Sequence, residues 1–417
     1  MRFENKKYFS FSMMILLSLM MIFQSQLYFP KIFLLGSALV FMPKNISISR
    51  DCLMLIVAYV LFGLWGILIG TIRFTDDPFQ YVTTTIIYPI LFLPIISQVA
   101  LQKDQSYNVI LRVMFYAHTA IVIYDLCYAF SIILGFAFPN IYSRTVEIGF
   151  SYYGEYGSRM NFINLNTLTY TTPIFIMLLL SKYRFGINRF IQCTIIILTI
   201  FLLVISGRRS VMLELLILPF LAIIICPFAP PQYALNIRKN VKVFTFVLIF
   251  LFVSLYILIP ETVNSYFNIF IDAFNSDKEP IKFAQSKMLI SKFLDSPFIG
   301  QGAGYSFYEP LPGRGIYSTE FELQYHLKLA QTGIIGFGLL MFAYLGILFL
   351  ALYLSMKKQD IICFSILSGY MFMLLADATN PVMCSFDLMP PFFLCLSRIN
   401  ALQCRKSQFS IKDISQN

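Results

Sequence analysis

The stretch "STEFELQYHLKLAQTGIIGFG", Ser318–Gly338, begins in polar chemistry and ends in hydrocarbon. Its first half carries Glu320, Glu322, His326 and Lys328, and every residue from Gly333 to Gly338 is apolar or glycine. The apolar run it opens continues to about residue 355, more than the ~20 residues a helix needs to cross a bilayer. The stretch therefore predicts a helix that enters lipid with ionisable groups at its mouth, where burial must be compensated by pairing or used in function.

Outward from that helix the pattern repeats. Of 417 residues, 58% are hydrophobic and only 12% charged, and no polar stretch is long enough for a separate soluble domain. The expected fold is an all-α polytopic integral membrane protein, a single membrane domain over residues 1–417. At ~20 residues each, about twelve transmembrane helices are expected, near 9–25, 28–43, 51–70, 79–100, 109–137, 164–181, 190–206, 210–227, 242–260, 326–355, 360–376 and 381–399. The largest polar insert, 261–322, lies between the ninth and tenth of these spans. The N-terminus has a basic front and an apolar core without a small-x-small cleavage site, which reads as a retained first helix.

The net charge of +10 follows membrane topology rather than nucleic acid, because Lys and Arg sit mostly in short loops between apolar runs. With the N-terminus inside, nineteen of them fall in cytoplasmic segments and eleven outside, five of the latter in the 261–322 loop. Cytoplasmic loops carry the excess of Lys and Arg, so both termini are expected in the cytoplasm and 261–322 outside. The eight cysteines lie mainly in or beside apolar segments and form no C-x-x-C pair, which argues against a zinc site and a disulfide framework. No carboxylate cluster suits a divalent metal, so neither a metal nor another cofactor is expected.

Three motifs carry chemistry. In "SGRRS", Ser206–Ser210, the adjacent Arg208 and Arg209 interrupt two apolar runs. Their forked guanidiniums either snorkel to lipid headgroups or match phosphate oxygens. In "KEPIKFAQSKMLISKFLDSPFIGQGAGYSF", Lys278–Phe307, apolar residues alternate with Lys282, Lys287 and Lys292, predicting a basic amphipathic helix ended by Ser296–Pro297. The glycines of "GQGAGY", Gly300–Tyr305, allow a tight loop and close backbone approach to a ligand or a neighbour. In the opening stretch, Glu322 and His326 are four apart and share a helix face, with Lys328 turned about 200° from His326. A carboxylate beside an imidazole is an acid/base pair or a structural hydrogen bond. His118, the only other histidine, is read as structural.

Taken in order, "SGRRS", "SPFIGQGAGY" and "ELQYHLKLAQTGIIGF" resemble the bacterial O-antigen polymerase and ligase superfamily, the membrane glycosyltransferases of surface polysaccharide assembly. The resemblance covers roughly the second half, chiefly Ser206–Gly338, and the turn "DATNPVMCSFD", Asp377–Asp387, is also similar to polymerase sequences. Ligase-like members carry a histidine eleven residues before the G-x-x-G, and that place is Glu322 here. Their arginine about fifteen residues before the P-x-x-G proline corresponds to Lys282. Both departures favour polymerase over ligase.

The resemblance implies an inner-membrane polymerase using an undecaprenyl-pyrophosphate-linked oligosaccharide, with a chain-length regulator and a flippase as candidate partners besides the lipid bilayer. It implies Arg208 and Arg209 on the diphosphate, with Lys282 and Arg314 as further candidates. Glu322 would be the base, helped by Tyr325 and His326. An O-antigen ligase, a lipid-linked oligosaccharide flippase and a membrane subunit without chemistry remain as alternatives, although the flippase should show two related halves and this chain shows none.

Overall fold

The structure, a computed structural model, describes residues 2–24, 26–42, 46–101, 104–141, 149–152, 158–162, 164–206, 226–258, 280–306, 321–378 and 383–414, with the single residues 217, 264 and 268. Among these residues the regular structure is helical apart from one short antiparallel hairpin. In chain order the helices are α1 (Arg2–Ile22), α2 (Tyr28–Val40), α3 (Arg50–Ile72), α4 (Tyr88–Leu101), α5 (Asp104–Leu134), α6 (Leu165–Leu180), α7 (Arg189–Ser206), α8 (Pro231–Leu258), α9 (Pro280–Asp295), α10 (Gln324–Lys357), α11 (Ile361–Asp377) and α12 (Pro390–Ile414). A π-helical turn, Val82–Ile87, leads into α4, and the hairpin pairs Gly149–Tyr152 with Ser158–Asn161.

Among the described residues three helices are long and apolar enough to cross a membrane: Arg50–Ile72, Tyr107–Leu134 and Gln324–Lys357. Six further apolar helices are shorter, of 10–17 residues. On α3 the sidedness is plain. Leu53, Val57, Leu61, Leu64, Leu68 and Ile72 stay exposed along one side, while Cys52, Leu55, Ile56, Tyr59, Phe62, Gly63 and Gly66 are buried on the other. A largely aliphatic exposed stripe is stable against hydrocarbon and costly against water. The expected span at 210–227 falls almost wholly outside the described residues.

The chain divides into two compact units, each assembled from three separate segments. The first comprises residues 1–41, 103–274 and 352–372. In it α1 packs on α2 and α5, α5–α7 pack on one another, and α8 packs on α6. His118 is buried on α5 between the hydroxyls of Thr171 and Thr199, at 2.8 Å and 2.9 Å, which satisfies both ring nitrogens and agrees with its structural reading.

The second unit comprises residues 42–102, 275–351 and 373–417. Here α12 packs on α4 and α3. Its centre is aromatic, with Tyr59 against Phe392 at 5.0 Å between ring centroids and Phe92 stacked on Phe393 at 4.2 Å. The amphipathic helix forms as expected, as α9, and ends at Asp295. One of its faces is buried: Met288 and Leu289 join Phe321, Leu327 and Ala330 in a single apolar cluster, with Ala284, Phe293, Tyr305 and Leu323 packed around it. Among its other described residues, Phe283, Ile290 and Leu294 remain exposed.

The expected continuous helix over 326–355 is instead broken. At Gly333 the backbone takes φ 62° and ψ −171°, a conformation essentially closed to any residue with a Cβ. The broken ladder is repaired by the glycine-rich loop that follows α9. The N–H groups of Gln301 and Gly302 donate to the carbonyls of Ala330 and Gln331, at 2.9 Å and 2.7 Å. In return the N–H groups of Ile334 and Ile335 donate to Pro297 and Phe298. Trp65, the one tryptophan, donates its indole N–H to the Thr332 carbonyl at 3.0 Å. Every backbone group freed at a helix break needs such a partner at membrane depth.

Candidate functional site

Contact between the 296–306 loop and the break is possible only because both are glycine. A Cβ on Gly300 would lie 2.3 Å from the Gln331 carbonyl oxygen, and one on Gly333 would lie 2.3 Å from that of Phe298. The second reading of the "GQGAGY" glycines, close approach to a neighbour, is thus the one realised at Gly300. Arg73, just past the C-terminus of α3, fastens the same loop. Its guanidinium donates to the Gln301 side-chain oxygen at 2.7 Å and to the Ser296 hydroxyl at 2.8 Å. Gln80 accepts from the Gly304 N–H and from the Gln331 amide, and Tyr81 donates to the oxygen of that same amide.

On this frame the first residues of α10 are set against α9. Lys282 and Glu322 form an ion pair, Nζ to Oε2 at 3.4 Å, with the two side chains 31% and 33% exposed. Gln285, one turn beyond Lys282 and fully buried, accepts the backbone N–H of Glu322 at 3.2 Å. Residues three apart share a helix face, so one face of α9 holds both the backbone and the carboxylate of Glu322. His326 lies four residues further on, half-buried, with its Nδ1 shielded from solvent and unpartnered.

Tyr325 does something else. Its hydroxyl donates to the Leu374 carbonyl at 2.7 Å, so it ties the start of α10 to the end of α11. The helix begins at Gln324, so Glu322 precedes it and the helix face expected to join Glu322 to His326 does not form; Lys328, within the helix, reaches Asp377 at 2.7 Å in a pair whose side chains are almost wholly buried. The other Asp377 oxygen accepts the Met383 N–H at 2.8 Å and so shapes the turn after α11. The Lys328 ammonium also lies 5.7 Å and 6.0 Å from the ring centroids of Tyr325 and Tyr344.

Of the seven site residues expected from the sequence, Lys282, Glu322, Tyr325 and His326 are described, whereas Arg208, Arg209 and Arg314 lie outside the described residues. Of the four described, Lys282 and Glu322 are brought together as an ion pair. Arg73, Gln285 and Asp377 were not among the candidates. Asp377 had a readable signal, a carboxylate closing an apolar run, with Lys328 as the matching cation within another. Gln285 had none, because an amide in a helix mouth is ordinary until its partner is known.

Chemically, the arrangement offers a carboxylate and an ammonium, each about one-third exposed, that a ligand can part. An ammonium matches an anion, and a carboxylate within reach of a hydroxyl can accept its proton. Among the described residues no three His, Cys, Asp or Glu side chains stand together as a metal ion would need. No family model matches the chain, and no curated protein sequence matches it.

Proposed function

We propose that the chain is an O-antigen, or surface polysaccharide, polymerase: a membrane glycosyltransferase that joins undecaprenyl-pyrophosphate-linked repeat units at the periplasmic face of the bacterial inner membrane. The observation that carries this reading is the Lys282–Glu322 pair. The two positions that the resemblance assigns to the diphosphate and to proton transfer lie 3.4 Å apart at the mouth of an apolar helix.

In the proposed reaction an acceptor sugar hydroxyl attacks the anomeric carbon of the donor. The bond from that carbon to the diphosphate breaks, and its electron pair leaves with the diphosphate. Glu322 takes the hydroxyl proton, and Lys282 holds the departing charge. Fixed cations are most effective where water is scarce, since the same charge is worth more at low dielectric. The remaining features of the reading are about twelve spans, both termini in the cytoplasm, and the 261–322 loop as the periplasmic loop that bears α9. The large share of Lys and Arg in the short loops of the other side supports that orientation.

Deletion of the gene tests the reading through the lipopolysaccharide ladder. Core carrying a single repeat unit is the expected result. Core with no repeat and accumulated lipid-linked polymer would assign a ligase instead, and retention of lipid-linked repeats on the inner side would assign a flippase. A normal ladder would remove the glycosyl-transfer reading.

A further inference from the structure

The exposed apolar residues of α9 fall on one arc. At about 100° per residue, Phe283, Ile290 and Leu294 leave the helix within about 40° of one another, with Lys287 beside them. Among the described residues Lys287 is the one charge on this arc. Asp295 leaves the helix about 100° from Leu294 and is paired with Lys292 at 3.6 Å. An aromatic and aliphatic face that carries a cation and no carboxylate suits the boundary between acyl chains and phosphates, where a lysine stem lies along apolar surface and its ammonium reaches the headgroups.

What adjoins the arc is the exposed apolar side of α10. Beyond the break, Ile335, Phe342, Leu345 and Phe349 stay exposed at intervals of seven, three and four residues, a single stripe along the helix. Main-chain bonds join this stripe to the turn that follows α9. The Ile334 N–H donates to the Pro297 carbonyl at 2.8 Å, and the Ile335 N–H to that of Phe298 at 3.2 Å. Phe298 is itself two-thirds exposed, as is Leu294 in the last turn of α9. Exposed apolar side chains thus continue from α10 through Phe298 to α9. Depth follows from length. Gly333–Leu354 contains no charged residue and, at 1.5 Å per residue, spans about 33 Å, close to the ~30 Å of a hydrocarbon core. The turns of α10 before Gly333 therefore lie at headgroup level, and there α9 packs, with Met288 and Leu289 in one cluster with Leu327 and Ala330.

We propose that α9 docks on the lipid surface, with Phe283, Ile290 and Leu294 among the upper acyl chains and Lys287 on lipid phosphate. The occupant of the exposed face is the bilayer itself, and the inference stands whether or not the protein transfers sugars. Lys282 leaves α9 about 100° from Phe283, on the flank of the lipid-facing arc. Its pair with Glu322 is thereby held at the depth at which a lipid carries its phosphates, so a lipid-linked ligand can reach the pair from within the membrane.

The test uses the full-length protein in nanodiscs of phosphatidylcholine and phosphatidylglycerol, with bromine placed high or low on the acyl chains to quench tryptophan. Ile290→Trp and Leu294→Trp are made singly, and the native Trp65 is kept as the background. The added fluorescence should fall about twofold with the high bromines and less with the low ones, as for a helix sunk by its apolar face into the headgroup and acyl boundary. Asp295→Trp, off the arc, should be quenched less than either. The unmodified protein gives a second reading that no substitution can disturb: a phospholipid with a diazirine beside its headgroup should crosslink to α9 at Phe283, Ile290 or Leu294. Absence of that crosslink overturns the proposal. So does quenching of the added tryptophans by aqueous iodide but not by bromine, which would put the face in water, or a crosslink through α9 between two copies of the chain, which would make it a protein interface.

Discussion

Lys282 with Glu322 and Lys328 with Asp377 are two ion pairs of the same unit with opposite physics. The first is one-third exposed on each side and is screened by water, so it contributes only about 0–1 kcal/mol to stability. The second is buried at 2.7 Å, where removal of one partner strands a charge and costs about 3–5 kcal/mol. Mutation should therefore separate fold from function. Glu322→Gln should leave the thermal midpoint in detergent close to that of the wild type while abolishing polymer in cells. Lys328→Met should lower the midpoint sharply, and Lys328→Met combined with Asp377→Leu should recover much of the loss, because no lone charge then remains. A large drop in stability from Glu322→Gln, or none from Lys328→Met, would reverse these assignments. The sequence made the charged groups visible but not how they pair, since Lys328 and Asp377 are 49 residues apart.

At the scale of elements, the break in α10 is what gives the helix mouth its form. The run Gly333–Gly338 is apolar and contains no proline, so composition alone favours an unbroken span. The break is imposed from outside, by a loop some thirty residues upstream that contributes two N–H donors and two carbonyl acceptors to the ladder. What could be read was the glycine spacing of that loop; what could not was that its partner is backbone, which leaves no trace in residue type. Similarly, α9 was legible as amphipathic, but the division of its apolar residues into a face buried on α10 and an exposed face needed the structure. Gly333→Ala and Gly300→Ala should each disrupt the joint, because the new methyl meets backbone at 2.3 Å and each glycine holds a positive φ. Strain of that kind costs about 1–3 kcal/mol before any clash is counted. Gly338→Ala, where a Cβ meets nothing within 4 Å, should be neutral. Thermal melting of the three variants checks the ranking, and polymer length in cells should follow it. A stable, active Gly333→Ala protein would show that the break is dispensable.

At the scale of the molecule, helicity and membrane character were legible from composition, and eleven of the twelve expected spans coincide with helices of the structure. Length separates them. Among the described residues three helices are both long and apolar enough to cross a bilayer, and α2 has just 13 residues. Short helices carry too few apolar residues to be assigned as spans by length, so their placement depends on charge in the loops they join. That dependence makes orientation the decisive property of the whole chain, because the proposed chemistry requires the Lys282–Glu322 pair to face the side where lipid-linked repeats are joined. Helix α10 begins beside that pair and ends at Lys357, with Lys358 following, while α6 and α7 are joined through Lys182, Arg184 and Arg189. If cation-rich loops are cytoplasmic, alkaline phosphatase, which folds only outside the cytoplasm, should be active when fused after Gly304 and inactive when fused after Tyr183 or Gln359. The inverse pattern would put Glu322 in the cytoplasm, away from any periplasmic acceptor, and would refute the polymerase reading even if every local contact at the site were correct.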